Sequence, residues 1–242
     1  MKRCSLTILA PMAVVTDETG SGRMLAKALF GLLLLFAVLF LSANTLYWPE
    51  GWLYVILQSA ISGWLIIWLK KHDPALLRER AAFKKPVKGW DAIISIVFSI
   101  LFLALFVTAG LDAIRYHWTQ MSLLPKAIGF AGIILWGYIH FSVLRVNSYV
   151  SKIVEVRADQ GQKVVSEGPY RIVRHPMYVG FIILFMSIPL ALGSLYALIP
   201  GAFLVVVLAI RTSLEDRTLQ KELPGYNAYA KKTRYKLLPG VW

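Results

Sequence analysis

Two short stretches of this 242-residue chain carry most of its chemically capable side chains. GPYRIVRHPMYVG, residues 168–180, crowds Arg174, His175 and Tyr178 around Pro176. RTSLED, residues 211–216, places Arg211 and Glu215 four residues apart, on one face of any helix. A proline after His175 biases that residue toward extended backbone and lets a helix start at Pro176. The N–H groups of that helix's first turn are then open to a polar or anionic group. Charged groups at the edge of lipid are costly unless they pair or line a wet cavity, which makes them functional candidates. A surface ion pair is the competing reading of Arg211 and Glu215, and it would contribute little. Other chemistries lack their residues. His72, His117 and His140 form no ligand-spaced set with His175, so no metal site is expected. No serine sits in a nucleophile elbow, and the glycines of 168–180 follow no strand and make no G-x-G-x-x-G.

The elements that must position these residues are membrane spans. The chain is 57% hydrophobic and 16% charged, which excludes an ordinary soluble domain. Six apolar segments stand out, at 25–46, 50–69, 91–114, 126–146, 177–193 and 195–212. They predict an all-α integral-membrane bundle of five or six transmembrane helices. The last two segments nearly abut at Gly193-Ser194 and predict a tight hairpin, tilted or not fully spanning. A hairpin returns the chain to the side it left, so Arg174, His175 and Tyr178 should lie near Arg211 and Glu215.

Net charge is +13, yet Lys and Arg sit between apolar segments and form no stripe with interleaved stacking aromatics, which argues against nucleic acid. On alternating spans, 24 of the 26 basic residues fall on one side, leaving Arg115 and Lys126 opposite. The positive-inside tendency then places both termini and the 145–176 connection in the cytoplasm, and the protein in the inner membrane if bacterial. The aromatics of LYWPEGWLY, 46–54, read as an interfacial belt on the far side. Cys4 is the only cysteine and reads as an ordinary thiol in an N-terminal tail, residues 1–24. The apolar run after Arg23 is long for a cleaved signal and is read as the first span. Asn44, Gln58, Asp91, Asp112 and His140 are scattered with no evident relay, which favours span-end or interhelix hydrogen bonding over a transport path. A cofactor-less scaffold or transporter is the non-enzymatic alternative.

The order G-P-Y-x-x-x-R-H-P-x-Y-x-G, hairpin, R-x-x-x-E-[ED]-x-x-L and G-Y-x-x-Y over about 147–239 resembles the isoprenylcysteine carboxyl methyltransferase family, whose core is shared with the phospholipid methyltransferases. The resemblance implies an integral-membrane enzyme that binds S-adenosylmethionine in a cytoplasmic pocket and releases S-adenosylhomocysteine. It makes 25–146 four spans of acceptor-side scaffold and 147–242 the methyltransferase core. Carried over residue by residue, it assigns cofactor contacts to Tyr170, His175, Pro176, Met177 and Tyr178, and to the stretch Gln162, Lys163, Val164 and Val165. It gives Glu215 the acid that holds the cofactor and Arg211 a place near the substrate. Gln162 and Glu155 depart from the histidine and glutamine of some eukaryotic members, which touches the adenosine pocket and substrate preference. The chemistry is compatible: Glu215 can pair with the donor's ammonium, and the helix start at Pro176 can take its carboxylate. Arg211 could hold a carboxylate acceptor, whereas an amine or thiol would need a base, Glu215 or His175. The implied acceptor is lipophilic: a prenylated cysteine, a phospholipid such as phosphatidylethanolamine, or a small hydrophobic thiol or acid, reached among membrane lipids.

Overall fold

The computed structural model describes residues 18–82, 88–149 and 163–242. Those residues form eight α-helices: α1 (Glu18–Ala43), α2 (Pro49–His72), α3 (Pro74–Ala81), α4 (Gly89–Gly110), α5 (Leu123–Val146), α6 (Pro176–Leu192), α7 (Leu198–Glu222) and α8 (Tyr226–Lys232). No strand occurs among the described residues. Helices α2, α5, α7 and α4 with its π-helical end Leu111–Arg115 are long and apolar enough to cross a membrane. The apolar part of α1, Leu29–Ala43, and all of α6 are shorter. The 17 residues of α6 rise about 26 Å against a hydrocarbon core of about 30 Å.

Each spanning helix is apolar on most of its surface and divides that surface between protein and lipid. On α4, Leu105, Phe106 and Ala109 are buried, while Ile93, Ile96, Ile100 and Leu103 are exposed. The core gathers Leu39, Phe40, Trp48, Phe106, Ile133, Phe185, Ile188 and Leu204 from α1, the turn before α2, and α4 to α7. The closest packing is between α5 and α6. A Cβ on Gly129 would lie 2.7 Å from the Ser187 carbonyl oxygen and 2.8 Å from the Ala191 Cα, so only glycine lets the two backbones meet there.

The predicted hairpin forms, and its turn has a specific construction. Gly193 takes φ +81°, and the N–H groups of Gly193 and Ser194 return to the carbonyls of Leu190 and Pro189, closing α6 with a Schellman cap. The carboxylate of Asp112 then receives the Ser194 hydroxyl at 2.5 Å, the Thr119 hydroxyl at 2.8 Å and the Tyr196 N–H at 3.2 Å. Asp112 therefore makes the interhelix hydrogen bonds expected of it and ties the turn to the end of α4.

One boundary and one added helix differ from the hydropathy reading. The second arm runs on to Glu222 instead of stopping at 212, because lipid ends where the sequence turns polar but backbone hydrogen bonding need not. Glu215, Arg217, Leu219, Gln220 and Lys221 all favour helix. The 70–90 connection also holds α3, started by Pro74 and capped by Asp73, whose Oδ1 accepts the Leu76 N–H at 2.9 Å.

Candidate functional site

The polar end of the α6–α7 hairpin is organised from one buried ion pair. Asp216 is 1% exposed and accepts from Arg174 through both carboxylate oxygens, Nε at 2.8 Å and Nη2 at 3.0 Å. It also accepts from the Tyr226 hydroxyl at 2.9 Å and Gln220 Nε2 at 2.8 Å, and lies 3.3 Å from His175 Nε2. Arg174 completes its fork with the carbonyls of Thr233 at 3.1 Å and Arg234 at 2.9 Å, just past the end of α8. A bidentate guanidinium whose remaining donors meet carbonyls is the arrangement that allows burial of both charges. Backbone bonds from Arg174 N to Tyr235 O and from His175 N to Lys236 O lay the C-terminal segment against 173–175.

The same device folds α8 onto the chain before α6. Gly225, at φ +83°, makes the sharp entry to α8. Leu223, Tyr226 and Tyr229 then form a small core against Val164 and Tyr170. The Tyr229 hydroxyl donates to the Tyr170 carbonyl at 2.8 Å, and Asn147 Nδ2 donates to the Tyr170 hydroxyl at 2.7 Å. Burial pushes the Tyr229 phenol up to about 12 and raises that of Tyr226 further, with the Asp216 charge beside it. Both hydroxyls therefore stay protonated and act as donors. G-Y-x-x-Y is thus a clasp that fixes the C-terminal segment.

Against this frame stands a second, more accessible group of charges. Pro176 opens α6, and one turn in, the Tyr178 hydroxyl donates to Glu215 Oε2. The Tyr178 ring stacks near parallel to His175 at 5.8 Å between centroids, and the Arg211 guanidinium lies 6.0 Å from the same ring. His175 is buried between the two acids, with Nδ1 3.7 Å from Glu215 and Nε2 facing Asp216. The Glu215 side chain is 23% exposed, in contrast to its neighbour Asp216. Successive residues on a helix point about 100° apart, so the adjacent acids have separate partners. Arg211 Nη2 reaches across to Asp91 Oδ1 on α4 at 3.1 Å.

The structure therefore brings together Tyr178, His175, Glu215 and Arg211, as the hairpin predicts. Tyr170 and Val164 stand behind them in the clasp, Val165 is half-buried and Lys163 is exposed. Met177 turns the other way, into the cluster of Leu65, Leu69, Leu76 and Leu144. Gln162 lies outside the described residues, as do Cys4 and Glu155. Sequence reasoning missed Asp216, Tyr226 and Asp91 as parts of this region and named Arg174 without its role. The second acid of Glu215-Asp216 and the first tyrosine of G-Y-x-x-Y were the available signals for two of them. A cavity of about 300 Å³ lined by Trp48, Glu50, His117, Gln120, Lys126 and Gly193 lies at the other end of the helices. The length of α6 separates it from these residues.

Residues 125–224, from the start of α5 to the end of α7, match the family model described as phospholipid methyltransferase. No curated protein matches the chain. The match indicates a methyltransferase and is consistent with the integral-membrane methyltransferases that the motifs resemble. With the four apolar helices it marks a multi-pass membrane protein. The acid at the open end of the hairpin suits the cationic part of a methyl donor. Glu215 is a part-exposed anion for a cation, and the Tyr178 ring lies beside it.

Proposed function

We propose that this protein transfers a methyl group from S-adenosylmethionine to a lipophilic acceptor at the cytoplasmic edge of the membrane. The observation that carries the reading is the meeting of Tyr178, Glu215 and Arg211 at the open end of the hairpin, inside the segment that matches the methyltransferase model. In this reading residues 147–242 are the methyltransferase core and 25–146 the acceptor-side scaffold. The concentration of Lys and Arg at the end where α6 begins supports a cytoplasmic site and cytoplasmic termini, in the inner membrane if the protein is bacterial.

S-adenosylmethionine supplies a methyl group already activated on its sulfonium. Glu215 binds the ammonium by a charge-assisted hydrogen bond, with the Tyr178 hydroxyl fixing the carboxylate's rotamer. His175, Pro176, Tyr170 and residues 163–165 form the wall around it, and the clasp built on Arg174 and Asp216 keeps that wall closed. Arg211 meets the acceptor from the membrane side and orients it. Alignment of two bound reactants lowers a barrier by as much as roughly 7–11 kcal/mol in well-oriented cases. Packed helices exclude water as a competing acceptor.

The acceptor most like the motif resemblance is the carboxylate of a prenylated cysteine, which needs no proton removed and only a cation to hold it. The family description favours a second reading, a phospholipid headgroup amine such as that of phosphatidylethanolamine. An amine, or a small hydrophobic thiol, must lose a proton, and Glu215 or His175 is placed to take it. The test is transfer of label from methyl-labelled S-adenosylmethionine to prenylcysteines, phosphatidylethanolamine and small thiols in the presence of purified protein. Label in one acceptor class names the reaction. No transfer to any class, with no binding of S-adenosylhomocysteine, contradicts the proposal.

A further inference from the structure

Asp91 is an unusual acid. It is the third residue of α4, where a carboxylate ordinarily faces water and meets the positive end of the helix dipole. Here its side chain is 0% exposed and is directed toward α7, with Oδ1 3.1 Å from Arg211 Nη2. A neighbouring tie, Lys88 to Glu222 at 2.6 Å, already joins the start of α4 to the end of α7 and is part-exposed. A second tie between the same helices, with its carboxylate fully buried, is a costly way to gain only more adhesion.

The alternative partner of Arg211 shows what the buried tie does. Glu215 lies four residues further along the same helix face, the spacing at which a guanidinium and a carboxylate pair by default. The two are already linked through Tyr178, whose ring faces Arg211 and whose hydroxyl donates to Glu215. Arg211 thus stands between two carboxylates on different helices. A full pairing with Glu215 would cancel that carboxylate's part-exposed negative charge at the mouth of the hairpin. Asp91 lies outside residues 125–224, so the matched segment assigns it nothing.

We propose that Asp91 is a positioning residue that holds Arg211 toward α4, so that Glu215 keeps its charge for the cationic end of the methyl donor. This rests on the function proposed above, with Asp91 acting through Arg211 and touching neither reactant.

The test is calorimetric binding of S-adenosylhomocysteine to the full chain, with Asp91→Asn, Arg211→Gln and the double variant. Asp91→Asn frees Arg211 to fall onto Glu215 and is expected to weaken binding about 10-fold, the scale of one charge-assisted hydrogen bond. Adding Arg211→Gln removes the competing cation and is expected to restore binding to within about 3-fold of the native protein, a non-additive rescue that a purely structural tie would not give. Asp91→Glu, which keeps the charge, should bind as the native protein does and covers the case in which Asp91→Asn does not fold. Unchanged binding in a folded Asp91→Asn, a double variant no better than Asp91→Asn, or a loss in Asp91→Glu equal to that in Asp91→Asn overturns the proposal. Failure of the native protein to bind overturns the proposed function instead. The tie itself is read without any ligand from the Arg211 side-chain Nε resonance in arginine-labelled protein, which should move in Asp91→Asn. A resonance that does not move overturns the positioning role on its own.

Discussion

Replacement of Arg174 by methionine tests the frame on which the site rests. Methionine keeps much of the side-chain length and removes the charge. It leaves Asp216, 1% exposed, with its charge uncompensated by Arg174 and only the hydroxyl of Tyr226, Gln220 and His175 around it. Breaking one partner of a buried ion pair costs about 3–5 kcal/mol. The carbonyls of Thr233 and Arg234 lose their donor as well. For a chain of this size such a loss corresponds to roughly 6–20 °C in Tm, at about 2–4 °C per kcal/mol. The damage should be local at first, since the pair sits at the polar end of α7 and its other partners lie in α8 and the segment after it. Limited trypsin digestion should cut Arg174→Met at Lys231, Lys232 or Arg234 under conditions that leave the native chain intact, with mass spectrometry reading the released C-terminus. The double variant Arg174→Met/Asp216→Leu removes both charges and should be destabilised less than the sum of the two single changes, because no buried charge is stranded. An Arg174→Met protein with native Tm and native digestion pattern would refute the claim that this pair anchors the C-terminal clasp.

Three other outcomes follow from the same packing. Gly129→Val should separate α5 from α6 and lower Tm or yield, whereas Gly31→Val, where nothing lies within 4 Å of an added Cβ, should not. Asp112→Leu strands the donors of Ser194, Thr119 and Tyr196 at the hairpin turn and should cost about 1–3 kcal/mol in thermal or denaturant unfolding, without altering cofactor affinity. A tag in the turn between α1 and α2, residues 44–48, should be labelled from outside intact cells and one after Trp242 should not. The reverse pattern would invert the topology.

What the sequence made legible is what obeys local rules. The hairpin follows from two apolar runs separated by Gly193-Ser194, and its geometry alone brings Tyr178 to Glu215. The helix start at Pro176 follows from His-Pro, and its boundary agrees with the structure. The parts that escaped depend on distance or on burial. Asp91 pairs with a residue 120 positions away, and a lone acid there reads only as span-end or interhelix hydrogen bonding, with no partner named. Asp216 sits beside Glu215 in the chain, and only the 100° between neighbouring helix residues decides which acid is buried. Helix α3 was legible from Asp-Pro after α2 but was hidden by the expectation of a basic loop. The end of α7 was misplaced because hydropathy marks the edge of lipid and not the end of a helix.

The central claim is that Glu215 holds a cationic methyl donor at the open end of the hairpin. Calorimetric titration of S-adenosylmethionine into the native protein and into Glu215→Gln addresses it most directly. Glutamine keeps an acceptor for the Tyr178 hydroxyl and removes the charge, so the fold should persist. Micromolar binding by the native protein is predicted, weakened about 10- to 150-fold in Glu215→Gln, the worth of a hydrogen bond to a charged group. Absence of binding to the native protein, or equal affinity in a folded Glu215→Gln, would contradict the account.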